Sequence, residues 1–206
     1  MKKHAFILMA LMPILSFSQL VLNETKTDVI FEKIYEVNKT KKEIHQKAME
    51  WIAINFKDAN EVVKLNTTEK VITKGNFNLD VSSHQYSFVA TIKFIMEISF
   101  KENKYKLNMN SFNASIDQNE VGLYQYFSNL DFNNFVKFYE KTRDEAKDKF
   151  TKKYMDKLLA NENELKSQYE NSLTTSNKFT KGSSNRVETI ADDLFNYINS
   201  KTDNDW

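Results

Sequence analysis

The sequence predicts an α+β fold in which an amphipathic helix lies across an antiparallel β-sheet. Every even-numbered residue in Phe88–Phe100 is apolar and the odd-numbered residues are mostly polar after Val89, a pattern typical of a strand with one buried and one solvated face. The polar residues 101–104 then predict a hairpin turn in which Asn103 adopts a positive φ. Thr40 and Glu43 match a capping box, which predicts that a helix begins there.

The other elements of the sheet domain follow from local composition. Val29–Val37 is rich in β-branched and aromatic residues and is predicted to be the first strand. The helix after Thr40 is expected to end near residues 58–60, and Trp51 is predicted to lie in the core against the sheet. The apolar stripe of this helix consists of Ile44, Ala48, Trp51, Ile52 and Phe56. Further strands are predicted at Glu61–Leu65, Lys70–Asp80, Tyr86–Phe100 and Lys104–Ile116.

The C-terminal part is predicted to be helical and rich in charge. Residues 129–175 are expected to form a separable, less stable insertion, either one long helix or a hairpin bent near residues 160–163. Ser172–Ser184 is polar and predicts a linker. A last helix is expected to start at an Asn185 cap and to present an apolar face formed by Val187, Ile190, Ala191, Leu194, Phe195 and Ile198. The chain is therefore predicted to consist of four parts. They are an N-terminal segment (1–18), an α+β domain (19–128), a helical insertion (129–175), and a polar linker with the last helix and the tail (176–206).

The first 18 residues have the features of a secretory signal peptide. Lys2 and Lys3 precede the apolar run Ala5–Leu15, and Ser16 and Ser18 are the small residues that signal peptidase reads. The run is shorter than the roughly 20 apolar residues of a membrane-spanning helix. No cysteine follows it, which argues against a lipid anchor. The mature protein is therefore expected to start at Gln19 and to be exported, either to the periplasm or as a secreted protein.

Composition excludes several classes of function. The chain has 29 basic and 28 acidic residues, and removal of residues 1–18, which contain two lysines and no acid, leaves a net charge of −1. This balance argues against nucleic acid and anionic membranes as partners. Three glycines are too few for the phosphate-binding loops of nucleotide enzymes. We expect no cofactor.

The ionisable residues do not form a recognisable catalytic or metal-binding motif. His45 lies beside Glu43 and Glu50, but the residues three and four positions after it are not metal ligands. His84 follows two serines in a polar turn, where no third group is apparent to orient a nucleophile and its base. The acid pairs lack the spacing of a calcium loop and are expected to be solvated; they are Asp192 with Asp193, and Asp203 with Asp205.

Residues 124–139 contain an unusual concentration of aromatic side chains. The seven rings exceed what one helix stripe requires, and they are Tyr124, Tyr126, Phe127, Phe132, Phe135, Phe138 and Tyr139. One interpretation is packing of the helical insertion against the sheet. The other is an interaction surface, since exposed aromatic clusters commonly mark recognition sites, and its candidate residues are Tyr124, Tyr126, Phe132 and Phe135.

Residues 29–114 resemble a family of secreted bacterial proteins, the domain of unknown function numbered 4468, described as TBP-like. The resemblance rests on the first strand, the capped helix with Ala48-x-x-Trp51-Ile52, the strands around the hairpin at residues 101–106, and a closing helix with the tail Asp203–Trp206. It implies a β-α-β-β-β-β-α module with helices on one face of a curved antiparallel sheet, and a charged helical insertion before the last helix. It implies no activity, and the fold name alone is no argument for DNA binding.

Two functional hypotheses follow. The first is a non-enzymatic module of the cell envelope that binds a protein, peptide or glycan through the solvated sheet face or the aromatic cluster. The alternative is a hydrolase that acts on an extracellular polymer at a site around His84 or His45.

Overall fold

The computed structural model describes residues 19–56, 59–82, 87–117, 119–127 and 131–200. The predicted signal peptide, His84, Asp203 and Asp205 lie outside these residues. The described part contains seven strands, which are β1 (Val21–Leu22), β2 (Val29–Glu36), β3 (Val63–Asn66), β4 (Lys70–Ser82), β5 (Ser87–Lys101), β6 (Lys104–Ile116) and β7 (Asn119–Gly122). Its helices are α1 (Lys41–Asn55), α2 (Ala59–Val62), α3 (Tyr124–Phe127), α4 (Phe132–Glu145), α5 (Lys149–Leu159) and α6 (Glu162–Asn199).

The strands form one antiparallel sheet in the order β1-β2-β6-β5-β4-β3, with β7 also paired to β6. The predicted hairpin joins β5 and β6, where Lys101 pairs with Lys104 and Asn103 has a φ of 59°. The capping box is also present, since the Thr40 hydroxyl accepts a hydrogen bond from the Glu43 amide while the Glu43 carboxylate accepts one from the Thr40 amide at 2.8 Å. The sequence therefore predicted both turn chemistries correctly.

A β-bulge at Ser111 bends the centre of the sheet. The pairing of β5 with β6 shifts between Lys93 and Ile95, and opposite this shift Ser111 has a φ of 56°. The Ser111 amide donates a hydrogen bond of 2.9 Å to the carboxylate of Asp28, which also accepts one of 2.7 Å from the Val29 amide. Because a bulge increases local twist, this anchored position favours a curved sheet.

Helices α1 and α6 cover one face of the sheet and form the main core with it. Trp51 is 3% exposed and shares this core with the even-numbered residues of β5, as predicted. The C-terminal half of α6 adds Phe179, Val187, Ala191, Leu194 and Ile198. The other face carries the odd-numbered residues of β5, so the alternation in the sequence corresponds to a covered and an open face.

Helices α4, α5 and the N-terminal half of α6 form a second, smaller core. Its buried residues are Phe135, Leu158 and Leu165, and partly buried side chains pack around them. We call these three helical segments the helical unit. The expected bend lies between α5 and α6, at Ala160 and Asn161. A further break after Glu145 was not predicted; there the Asp148 carboxylate accepts a hydrogen bond of 2.7 Å from the Thr151 amide and caps α5.

The predicted linker at residues 172–184 and the predicted helix start at Asn185 are wrong, because α6 runs through both without interruption. The small polar residues allow the helix to approach the sheet closely. A Cβ atom on Gly182 would lie 2.4 Å from a methyl group of Leu79, and Ser183 is fully buried. The three threonine hydroxyls in this segment donate to carbonyl oxygens of α6, as Thr175 does to Asn171 at 3.0 Å. Small polar residues therefore mark a contact here and not a chain break.

Candidate binding groove

A groove lies between α3, α4 and α6, where the sheet domain meets the helical unit. Its volume is about 350 Å³. We call it the aromatic groove, and its described lining residues are Val121, Gln125, Tyr126, Phe135, Phe138, Tyr139, Ser172, Thr175 and Ser176. The groove thus combines the end of β7 with one side of each of three helices.

The side of the groove next to the sheet is fixed by α3. Tyr126 stacks on Phe179 of the main core, with ring centroids 3.9 Å apart and an interplanar angle of 15°. The Ser176 hydroxyl on α6 donates a hydrogen bond to the Tyr126 carbonyl. Gly122 precedes this helix, and a Cβ atom there would lie 2.3 Å from the ring of Tyr124. Because Gly122 has no side chain, the ring of Tyr124 can pack directly against the backbone, and this contact positions α3.

The opposite side is formed by three aromatic residues of α4. Phe135 is 4% exposed, and its ring centroid lies 4.7 Å from that of Tyr139. Phe138 contacts the edge of Tyr139 at 5.6 Å but remains 63% exposed. Most of the Phe138 ring therefore faces solvent at the groove, beside two rings that packing holds in place.

The polar side of the groove comes from α6 and α3. The Thr175 hydroxyl donates to the Asn171 carbonyl oxygen and the Ser176 hydroxyl donates to the Tyr126 carbonyl oxygen, which leaves the Ser176 hydroxyl oxygen as an acceptor. The Ser172 hydroxyl and the Gln125 amide have no hydrogen-bond partner among the described residues. A bound molecule can therefore receive hydrogen bonds from only a few groups in this groove.

The aromatic groove is electrically neutral. Its described lining contains no Asp, Glu, Lys, Arg, His or Cys. Burial, and then the proximity of Tyr154, raises the pKa of Tyr139 above its ordinary value, so this hydroxyl stays protonated at neutral pH. Such a surface suits an uncharged, largely apolar group, since a charged one would lose hydration without gaining a counter-ion.

The predicted interaction residues divide between the groove and the packing around it. Tyr126 and Phe135 line the groove. Tyr124 covers Gly122, and Phe132 packs edge-on against Tyr169 with ring centroids 5.3 Å apart. The α6 residues of the groove were not predicted, because the polar residues 172–184 indicated a linker. A helical reading of 172–176 would have placed three of its four hydroxyl-bearing residues, Ser172, Thr175 and Ser176, on one face.

The other candidates from the sequence do not converge in the described residues. His45 lies 2.7 Å from the Asn66 side-chain oxygen and edge-on to the Phe100 ring at 5.2 Å. Asp192 and Asp193 are exposed on α6. Within the part of the chain that the structure describes, no group of three or more His, Cys, Asp and Glu residues could hold a metal ion.

The open face of the sheet is a second concave surface, of about 470 Å³ at its larger depression. It carries the exposed Ile34, but several of its charged groups pair with one another. Lys106 lies 2.8 Å from Glu32, and Lys93 lies 2.7 Å from Glu120. These pairs reduce the polar capacity that is free for a ligand. We therefore favour the aromatic groove as the candidate site.

The helices of the described residues were compared with the requirements for a membrane-spanning helix. None of them combines the length and the apolar character that crossing a lipid bilayer requires.

Comparison with known proteins agrees with the fold. A domain of unknown function (DUF4468) with TBP-like fold matches residues 31–115. A TBP-like protein from Parabacteroides distasonis is similar at 13% identity and a TM-score of 0.53, covering 85% of this chain and 95% of that one. A DUF4468 family protein from Bacteroides ovatus is similar at 10% identity and a TM-score of 0.49, covering 89% and 94%. No curated protein sequence matches. Residues 31–115 of this chain therefore match the model of the DUF4468 family, and the chain has a TBP-like fold.

Proposed function

We propose that this chain is an exported, non-enzymatic module of the cell envelope, which binds a protein or peptide partner in the aromatic groove. The observation that carries this proposal is the 63% exposure of Phe138 at a groove without charged lining residues. Large apolar side chains at such positions are typical anchors of binding interfaces.

The composition of the groove favours an apolar peptide side chain over a sugar. Three rings of α4, the ring of Tyr126 and Val121 provide apolar surface, whereas the described lining residues with an unused polar group are Gln125, Tyr139 and Ser172. A sugar carries several hydroxyl groups, and each would need a partner after its water is removed. A volume of about 350 Å³ accommodates one large side chain and part of its backbone.

The fold is compatible with export after cleavage before Gln19. Leu20 is 5% exposed and belongs to the main core, so a protein that begins at Gln19 keeps every residue of the described core. We expect mass analysis of the N-terminus in the host to find Gln19 as the first residue in an envelope or secreted fraction. Intact Met1 in a cytoplasmic fraction would contradict the proposed location.

Selection from a displayed peptide library would test the groove. We expect selected peptides to share an aromatic or branched apolar anchor residue, and to bind the Phe138→Ser variant at least tenfold more weakly. Loss of one large buried apolar contact corresponds to about 1.5–3 kcal/mol, which gives a factor of this size. Ile54→Ser is the matched control, because Ile54 is 68% exposed and does not line the groove.

Two results would contradict the peptide proposal. One is selection of peptides that bind Phe138→Ser as well as the parent protein. The other is a neutral oligosaccharide that binds the parent protein more tightly than any selected peptide and loses this affinity in the Phe138→Ser variant, which would assign the groove to glycans. Circular dichroism of each variant would establish that the fold is retained.

A further inference from the structure

The outer face of α5 carries a line of lysines beside two exposed aromatic rings. Lys149, Lys153 and Lys157 are spaced four residues apart, so they lie on one side of the helix with about 6 Å between neighbours. Phe150 and Tyr154 form the adjacent line and are 83% and 46% exposed. We call these five residues the basic aromatic stripe.

The positive charge of this segment is not neutralised by the described chain. None of the three lysines forms an ion pair with a described residue. Residues 147–157 contain five lysines and two aspartates. Asp148 caps α5 at the Thr151 amide, and Asp156 lies 3.9 Å from Arg143. Both acids therefore already have partners, and with five lysines against two aspartates the segment keeps a net charge of +3.

Packing of α5 does not require the three lysines or Phe150. Leu158, which is 1% exposed, faces the small core and attaches the helix to its neighbours. The lysines repel one another along the helix, and the ring of Phe150 remains in water, so both features are unfavourable in the isolated protein. A surface that presents negative charge next to hydrocarbon would complement both at once.

We propose that the basic aromatic stripe docks α5 on the surface of an anionic phospholipid membrane. The lysines would lie at the lipid phosphates and the Phe150 ring would insert at the boundary of the acyl chains. A soluble polyanion would neutralise the lysines but leave Phe150 in water. The exposed ring therefore favours a lipid surface over a soluble polyanion. The near-zero net charge of the whole chain argues against long-range attraction to an anionic membrane, but exposed charges act over about one Debye length, so the local cluster of lysines determines this contact.

Flotation with lipid vesicles tests this inference independently of the aromatic groove. The protein should begin at Gln19, since the apolar run Ala5–Leu15 would itself bind lipid. At low salt we expect it to float with vesicles of 60% phosphatidylcholine and 40% phosphatidylglycerol, and not with pure phosphatidylcholine. Added salt should release it, as screening requires.

Substitutions separate the charge from the ring. Replacing Lys149, Lys153 and Lys157 together by Gln should weaken binding at least tenfold, and Phe150→Ser should weaken it several-fold. Both sites are at the surface, so the variants should keep the circular dichroism of the parent protein. A matched control replaces three exposed lysines elsewhere by Gln, namely Lys42, Lys101 and Lys104.

The control for the ring is Ile54→Ser, which removes an exposed apolar side chain on α1. Both control proteins should float like the parent. Equal flotation with neutral vesicles, or equal loss in the lysine control, would overturn the inference. So would binding of soluble polyglutamate that Phe150→Ser leaves unchanged while vesicles fail to bind, because the stripe would then serve a polyanion.

Discussion

The sheet domain and the helical unit are stabilised in different ways, although α6 belongs to both. The main core joins the sheet, α1 and the C-terminal half of α6 in one continuous cluster of buried residues. The helical unit buries Phe135, Leu158 and Leu165 and leaves Phe138, Phe150 and Tyr154 exposed. A small core gives little stability in itself, so the helical unit depends on its continuity with α6. Both candidate contact surfaces lie in or against the helical unit.

This difference connects stability to function. Regions with few buried apolar contacts open locally at free energies below that of global unfolding. The aromatic groove has one side on the stable sheet domain and another on the helical unit. Local motion of α4 would therefore change the width of the groove without disturbing the sheet. Binding would in turn stabilise α4 against opening.

The largest effect should come from Trp51→Ala. Trp51 lies on the side of α1 that faces the sheet and is 3% exposed. The Phe56 ring packs edge-on against it, with ring centroids 6.0 Å apart. Loss of the indole should lower the free energy of unfolding by about 3–5 kcal/mol through lost transfer energy and a residual cavity. Chemical denaturation measures this. Ile54→Ala on the same helix should change it by less than about 0.5 kcal/mol. A stable Trp51→Ala protein would refute the assigned helix face.

The next effect should be confined to the helical unit. Leu158→Ala removes one of its three buried residues and should lower the opening free energy of α4 and α5 by about 2–4 kcal/mol. Hydrogen exchange would measure both regions at once. In the parent protein, amides of α4 and α5 should exchange faster than those of β5. In the Leu158→Ala variant, the exchange rates of the α4 and α5 amides should rise and those of the β5 amides should not. Equal protection of the two regions would show that they unfold together.

The same comparison explains which parts of the structure could be predicted. In the sheet domain, period-2 alternation and the Thr40 capping box have one structural interpretation each, and both were confirmed. In α6, the run around Gly182 resembles a linker because its small residues are polar. They are small because Leu79 of β4 lies against them, a long-range contact that no local pattern shows. The groove was half predicted for this reason, since its aromatic side was recognised and its α6 side was not.

A smaller and opposite effect is expected for Tyr105→Phe in the main core. The Tyr105 hydroxyl is buried without a hydrogen-bond partner in the described residues, and its ring stacks on Tyr35 at 5.0 Å. Phenylalanine keeps the stacking and removes the unpaired group, so the free energy of unfolding should rise by about 1 kcal/mol. Tyr197→Phe is the control, because that hydroxyl donates to Glu50 at 3.4 Å. Its stability should not rise.

Alkaline pH should enlarge the Tyr105 effect. Burial raises the pKa of the Tyr105 hydroxyl far above its ordinary value of 10.0. Above about pH 10 the unfolded chain ionises at this residue and the folded chain does not, which destabilises the fold. Tyr105→Phe removes this contribution, so the variant should lose less stability than the parent between pH 9 and pH 11. Parallel pH profiles would show that the hydroxyl is solvated.

The smallest effect should come from Glu43→Gln at the start of α1. Hydrogen bonds from the Thr40 side chain and then from its backbone hold the pKa of the Glu43 carboxyl below its ordinary value of 4.5. A lowered pKa means that the charged form stabilises the fold above pH 4.5 and that this contribution disappears as the pH falls through the folded-state value. Glutamine can keep the hydrogen bonds but has no charge to interact with the helix N-terminus.

The Glu43→Gln variant should melt about one degree below the parent at pH 7 and at the same temperature near pH 3. Glu36→Gln, at an exposed site on β2, is the control. If the Glu43 and Glu36 variants show the same pH dependence, the capping box contributes no charge effect, and the start of α1 depends on the packing of the main core alone.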